Sequence, residues 1–426
     1  MEFEPEFPKS YKKGMKKFAI IFPNKIYGGV YSLGPLIVYN IVNSMENWIC
    51  DRFFEDYLGN LENYDIIAFS ISWILDYRRA KKIKEKFNLK DKIVVAGGPA
   101  VLINPNLFKK DFDALFLFEA ETILEDILKV YEETNDKESF LESISEFDGV
   151  IVPGIKEDTK ILRVKDLDKA IYPLYQPLPK EIDKRYVFGK VFLLEVARGC
   201  PFGCKFCNIP NLYSPYRIRS YNRLLEIVEE GYRINKRKKI VIYAPILVHP
   251  KLKDFLKYLI DNGFEFSLPS LRPEFVDEEL IDLMYKGRQR TLTLAPETGD
   301  EKIRFSIGKN IKDSEFLRVA EIARNKMKEI KLYFIIGLPD QDIEDAYRIV
   351  ELSKKIREKF GGEVYVSINP FVPVRFSEYE NEKFDLKKVK EMKKIVVKGL
   401  KKEKFRFSIK SLKISYMEYK LNKYKG

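Results

Sequence analysis

The stretch EVARGCPFGCKFCNIP, Glu195 to Pro210, decides how the rest of the chain is read. It sets Cys200, Cys204 and Cys207 in a C-x3-C-x2-C spacing directly after VFLLEVA, an apolar run that reads as a buried strand. Three of the four cysteines thus lie within eight positions, which suits a metal or redox site in a reducing compartment better than a disulfide framework. A cubane cluster needs a ligand on each of its four irons, so three thiolates leave one iron open to a ligand that is not protein. A structural zinc site wants four ligands, usually in cysteine pairs. Beyond the triplet the chain offers only Cys50 and its single histidine, His249, both distant in sequence. Cys50 reads as a small buried apolar residue.

Working outward, strand and helix alternate regularly after Val191. VFLLEVA, KIVIYAP, FEFSLPS, RTLTLAP, KLYFIIG and EVYVSIN each read as a strand. Helical stretches are predicted at 221–235, 251–262, 276–286, 312–326 and 342–358. Six such βα units predict an open or partial barrel, with chemistry in the loops after the strand C-terminal ends. The cysteine triplet occupies the first of those loops.

Upstream, KKFAIIFPN (Lys16 to Asn24), YDIIAFSIS, KIVVAGGPA and DALFLFEAE read as strands of a doubly wound parallel sheet. A helix is predicted from about Pro35 to Met45, and another in DYRRAKKIKEKF. From about Asn135 to Tyr186 the pattern loosens into pieces such as GVIVPGI and KILRV, followed by several prolines, and reads as a connecting segment.

A chain of 426 residues is long enough for two cores. It has no apolar run long enough to span a bilayer and no secretory leader at Met1, so a cytoplasmic protein is expected. Lysine and arginine exceed aspartate and glutamate by 12, and lysine and glutamate are both abundant, as in chains of thermophiles. The stretch KKVKEMKKIVVKGLKKEKFRF near the C-terminus could present a basic face to nucleic acid, and a solvated helical face explains it equally well.

The triplet, with Phe206 just before its last cysteine, resembles the signature of the radical S-adenosylmethionine (SAM) superfamily. The likeness covers roughly Lys190 to Pro373. It implies a 4Fe-4S cluster on Cys200, Cys204 and Cys207, with SAM chelating the open iron through its amino and carboxylate groups. Reductive cleavage of SAM would then give methionine and a 5′-deoxyadenosyl radical. The resemblance also assigns Phe206, Tyr243, Ala244, Arg272, Glu297, Lys309, Ile336 and Gly337 to SAM. Glu297 would meet the ribose, a basic residue (Lys309, Arg304 or Arg272) the methionine carboxylate, and the backbone at Ile336 and Gly337 the adenine. Where the family often has a GGE-like turn after the second strand, this chain has YAPIL, Tyr243 to Leu247.

The N-terminal region resembles the Rossmann-like cobalamin-binding module that precedes the barrel in one large subclass. This implies an α/β fold: residues 1–134 as the cobalamin-binding-type domain, 135–185 connecting, 186–376 the partial (β/α)6 barrel, and 377–426 a basic extension. Gly28, Gly29, Ser70, Gly97 and Gly98 are the residues expected to line a cobalamin. The module contains no histidine, so any corrin there would lack histidine ligation to cobalt. With cobalamin, the implied reaction is methylation of an unactivated carbon. Without it, the enzyme would perform another C–H abstraction. A nonenzymatic nucleic-acid-binding iron–sulfur protein is the reading from a different class. Methylthiotransferases of tRNA normally carry three further N-terminal cysteines, which this chain lacks. The expected partners are SAM, a substrate of unstated class and an electron donor such as a ferredoxin or flavodoxin.

Overall fold

The computed structural model describes residues 2–426. Contacts divide it into two units, one gathering the chain up to Leu193 with Glu226–Arg237 and Leu421–Gly426, the other Leu194–Leu225 with Lys238–Lys420.

The first unit is built on a six-stranded sheet. Its strands are β1 (Lys16–Phe22), β2 (Trp48–Phe54), β3 (Ile66–Ser70), β4 (Ile93–Gly97), β5 (Ala114–Phe116) and β6 (Val150–Ile151), in the order β2-β1-β3-β4-β5-β6. All neighbours run parallel except β5 and β6, which pair Leu115 with Ile151 antiparallel. The central strands β1, β3 and β4 carry unbroken buried runs, as a sheet covered on both faces requires. One core layer brings Phe18, Trp48, Ile66 and Ile93 together with the helices Leu33–Ser44 and Leu124–Glu133.

Two strands of the main sheets escaped the sequence reading. WICDRFF forms β2 at the sheet edge, where Asp51 is exposed and Arg52 is buried by donating to the carbonyls of Pro177 (3.1 Å) and Val30 (3.2 Å). The charged pair in the middle breaks the apolar run that would have announced a strand. Cys50, in the same strand, is buried in the core, and burial pushes its thiol well up.

The second unit contains the alternation predicted from the sequence. Its strands are β7 (Phe192–Glu195, whose first two residues belong to the first unit), β8 (Lys239–Tyr243), β9 (Glu265–Ser267), β10 (Thr291–Glu297), β11 (Glu329–Ile336) and β12 (Glu363–Pro370). A seventh strand, β13 (Arg406–Ile409), pairs parallel with β12. This is the second strand missed, because RFSI is short and follows a lysine run. The sheet falls into two parts, β9-β8-β7 and β10-β11-β12-β13, linked by a single parallel bridge from Leu271 to Leu294. A partial barrel results.

The long strands alternate strictly. Along β11 and β12 the even-numbered residues are buried and the odd-numbered ones are not. The buried face packs against the helices Asp313–Ala323, Asp345–Phe360 and Leu386–Lys402. The last of these carries the C-terminal lysine run. Val389, Met392, Val396 and Leu400 turn one apolar stripe inward at helical spacing, Asp385 caps its start by accepting from Lys388 N at 3.0 Å, and the lysines take the opposite faces. Among the described residues no helix is long and apolar enough to cross a membrane.

Candidate active site

The loop after β7 is clipped at its base. Ala197 and Arg198 pair antiparallel with Ile218 and Arg217. Glu195 takes Arg198 at 2.9 Å on each oxygen and Arg219 at 2.9 Å. Burial pushes this carboxyl up, but the two guanidiniums more than offset it and hold it below its usual range. Gly199 has φ +83°, and a Cβ there would stand 2.6 Å from the Tyr213 carbonyl oxygen. Only glycine closes the loop this tightly.

The cysteines follow on this base. Cys204 O accepts from Cys207 N at 3.0 Å, a turn that carries both thiols. Lys205 N donates to Ile307 O (3.0 Å) and Lys205 O accepts from Tyr379 N (3.1 Å), tying the loop to the segments after β10 and β12. Gly308, at φ +76°, lets the Gly203 carbonyl approach to 2.6 Å of where a Cβ would sit. Phe206 packs on Ile307, Leu338, Phe371 and Tyr379, so its ring fixes the loop from below. All three thiols are partly buried, and burial raises each, Cys207 up to about 11. Arg272 and Lys309 pull Cys200 and Cys204 the other way.

Around the loop stand most of the residues expected at SAM. Glu297 ends β10 with φ +67°, a left-handed conformation that a non-glycine residue adopts only when its surroundings enforce it. Its Oε1 accepts from Lys309 Nζ at 2.7 Å, both residues being buried. Among the described residues no hydrogen bond to Oε2 is made. The Arg272 guanidinium lies 3.7 Å over the Phe202 ring and pairs with Glu274 at 2.6 Å. Tyr243 and Ala244 end β8, where Tyr243 O accepts from Val196 N. Ile336 is buried at the end of β11, and Gly337 (φ +88°) would place a Cβ 2.3 Å from Val389.

Arg304, one of the three basic residues expected at the methionine carboxylate, is committed elsewhere. It is fully buried and donates to the carbonyls of Pro296, Thr298 and Ile311 and to Asp313 Oδ1. It braces the turn that carries Glu297. His249 is also structural. Nδ1 accepts from Lys251 N, leaving the Nε2 proton to reach Arg219 O at 2.9 Å. Tyr216 donates to Val248 O at 2.6 Å, so it closes the loop at this end.

Asp345 is the residue here that the sequence reading missed; GLPDQDIED gives no sign that one of its four acids is buried. Asp345 Oδ2 accepts from Gln341 Nε2 (2.7 Å) and Gly299 N (3.3 Å), and Oδ1 has no partner. Burial pushes this carboxyl up to about 6 from 3.8. The folded chain therefore binds the proton more tightly than the unfolded chain, and stability falls as pH rises from 3.8 to about 6, then stays level. Asp345→Asn is expected to remove that fall and to stabilise the protein at pH 7.5 by about 1–2 kcal/mol. Thermal melts of both proteins from pH 4 to 8 check it, and parallel curves would refute it.

In the first unit, Ser70 and Gly97 are register partners at the C-terminal ends of β3 and β4. Gly98, at φ +98°, would place a Cβ 2.9 Å from Ile71 O. Gly29 is needed for packing, because a Cβ would stand 2.7 Å from both Phe22 and Phe54, whereas Gly28 faces open space. The structure thus groups Ser70, Gly97 and Gly98 at the strand ends and gives Gly29 to the aromatic core.

A partial parallel barrel with a cysteine triplet in its first loop, carried with a doubly wound sheet in one chain, defines a class of iron–sulfur enzyme. Two family profiles match: "Radical SAM superfamily" over residues 194–353 and "Radical SAM proteins, N-terminal" over residues 55–153. An uncharacterized protein of Methanocaldococcus jannaschii is 32% identical over 398 residues, 92% of this chain and 85% of its own. An uncharacterized methyltransferase of Pyrococcus horikoshii is 23% identical over 340 residues, 74% of this chain and 68% of its own. Among solved structures, the radical SAM methyltransferase TsrM of Kitasatospora setae, with cobalamin and a [4Fe-4S] cluster bound, has a similar fold (TM-score 0.63, 13% identity, 86% of this chain and 77% of that one). The chain belongs to the radical SAM superfamily.

Membership implies an enzyme with a 4Fe-4S cluster and SAM, and the residues present fit both. Among the described residues no three histidine, cysteine, aspartate or glutamate side chains converge as they would on a single metal ion. That arrangement departs from a mononuclear zinc site, and a cubane, with a separate iron for each thiolate, does not ask its ligands to share one ion.

Proposed function

We propose that this radical SAM enzyme methylates an unactivated carbon with the help of cobalamin, and that Cys200, Cys204 and Cys207 hold its cluster. The observation that carries the proposal is the pairing in one chain of a doubly wound N-terminal sheet with the cysteine-bearing barrel, a pairing whose fold matches TsrM over 86% of the chain.

When bound, the cluster and SAM supply a 5′-deoxyadenosyl radical that abstracts hydrogen from the substrate. The chain's own residues position and shield. The Gly199 turn and the Phe206 contacts hold the cysteine loop. Glu297 Oε2 would accept from a ribose hydroxyl, while Lys309 orients that carboxylate by its bond to Oε1. Arg272, spread on Phe202, offers positive charge for the methionine carboxylate. Because the turn after β8 is YAPIL, the SAM amino group would be met by backbone carbonyls.

For cobalamin, the C-terminal ends of β3 and β4 offer backbone close to the surface at Ser70, Gly97 and Gly98 and no imidazole. That fits a corrin held without a protein ligand on cobalt. Anaerobic reconstitution with iron, sulfide and hydroxocobalamin, followed by gel filtration, spectra and assay of 5′-deoxyadenosine under dithionite, tests the proposal. Cluster and stoichiometric corrin retained together support it. Cluster and 5′-deoxyadenosine without corrin would turn the reading to C–H abstraction without cobalamin, and no cluster would overturn it. In the cell, a one-electron donor of the ferredoxin or flavodoxin kind would replace dithionite.

A further inference from the structure

The inner face of the β10-β11-β12-β13 sheet carries a pattern that the cofactors do not use. A row crosses all four strands in register: Thr293 beside Lys331, Lys331 beside Tyr365, Tyr365 beside Arg406. The next row sets Tyr333 beside Ser367 and Ser367 beside Ser408. Every one of these side chains points away from the helix-covered face, and none is fully buried.

Lys331 is the centre of the pattern. Its ammonium lies 5.0 Å from the centroid of the Tyr333 ring and 5.5 Å from that of Tyr365. Among the described residues it makes no ion pair, although Arg406, at the end of the same row, pairs with Glu329 at 3.3 Å. The ammonium of this half-buried lysine thus meets ring faces and no carboxylate among the described residues. It is a good anion receptor, since neighbouring rings and hydroxyls complement a flat acidic molecule. A cavity of about 280 Å³ meets the row at Thr293, with Ser267, Gln289 and Thr291 also in its wall.

We infer that Lys331, flanked by Tyr333 and Tyr365, binds the carboxylate of a planar substrate on the inner face of the barrel. The inference rests on the reading of the barrel as a radical SAM active site. One ammonium with hydroxyl neighbours matches a singly charged carboxylate better than a phosphate, which is usually met by several backbone N–H groups or a helix N-terminus. Lys331 lies about 16 Å before Ile336 along β11, so a substrate anchored there must be extended to bring its reacting carbon to the strand ends.

The test is a fluorescence titration of the full chain at pH 7.5 with 2-naphthoate and, separately, its uncharged analogue 2-naphthamide. The wild type is expected to bind the acid about tenfold more tightly than the amide, the size of one charged hydrogen bond. Lys331→Met, which keeps the aliphatic stem between the rings, is expected to erase the preference, and Lys331→Arg to keep it. Equal affinity for the two probes, no binding of either, or a preference that survives in Lys331→Met overturns the inference. The titration needs no cluster, and 5′-deoxyadenosine formation by the wild type is measured apart. A wild type that cleaves SAM but shows no preference fails this inference alone, whereas one that prefers the acid but never cleaves SAM fails the reading of the barrel.

Discussion

Cys204→Ala is expected to bring 5′-deoxyadenosine formation down to the level of a control without enzyme, while the far-UV circular dichroism spectrum stays that of the wild type. The thiol at this position is proposed to hold one iron of the cluster, and two thiolates cannot keep the site-differentiated cubane that three can. The substitution removes one sulfur and leaves the loop's supports in place. These are the Lys205 hydrogen bonds to Ile307 and Tyr379, the Phe206 packing and the Glu195 ion pairs at the base. Cys200→Ala and Cys207→Ala should behave alike, since each would lose one of the same three ligands. Iron and sulfide content after reconstitution separates loss of the cluster from loss of a downstream step. A Cys204→Ala protein that still cleaves SAM would sink the proposed ligand set.

The parts of the fold legible in the sequence were those with an uninterrupted period. Ile66 to Phe69 and Ile93 to Ala96 are buried without a break and read as continuous apolar runs, and β11 and β12 alternate so regularly that burial follows residue parity. Edge positions were opaque. In β2 the Asp51-Arg52 pair interrupts the run, and the burial of Arg52 depends on carbonyls at Val30 and Pro177 that no local pattern could bring near. The cysteine triplet is local, so it was legible at once. The braces around it are not, because Arg304 becomes buried only when the carbonyls of Pro296, Thr298 and Ile311 curl around its guanidinium. Asp345 is hidden for the same reason: four acids in nine residues look alike until Gly299 arrives from the turn after β10.

The buried Lys309–Glu297 pair is proposed to join stability to cofactor binding, and it is where a second large effect is expected. Lys309→Met should destabilise the protein by about 3–5 kcal/mol, because it leaves the Glu297 carboxylate buried and uncompensated. For a unit of this size that corresponds to a fall of roughly 10 °C in the melting temperature. Most of the cost belongs to the stranded charge and not to the lost attraction, so the double variant Lys309→Met/Glu297→Gln should recover much of the stability. Binding of SAM should not recover with it. Glutamine keeps an acceptor for a ribose hydroxyl but lacks the charge that strengthens such a bond, and methionine at 309 no longer donates to the residue at 297 to orient it. A purely structural pair would behave differently, with SAM affinity returning along with the melting temperature. Calorimetric titration of SAM into the reconstituted wild type, single and double variants, alongside their thermal melts, separates the two roles. Full recovery of both quantities in the double variant would leave Glu297 and Lys309 as a brace for the β10 turn and remove them from the SAM site.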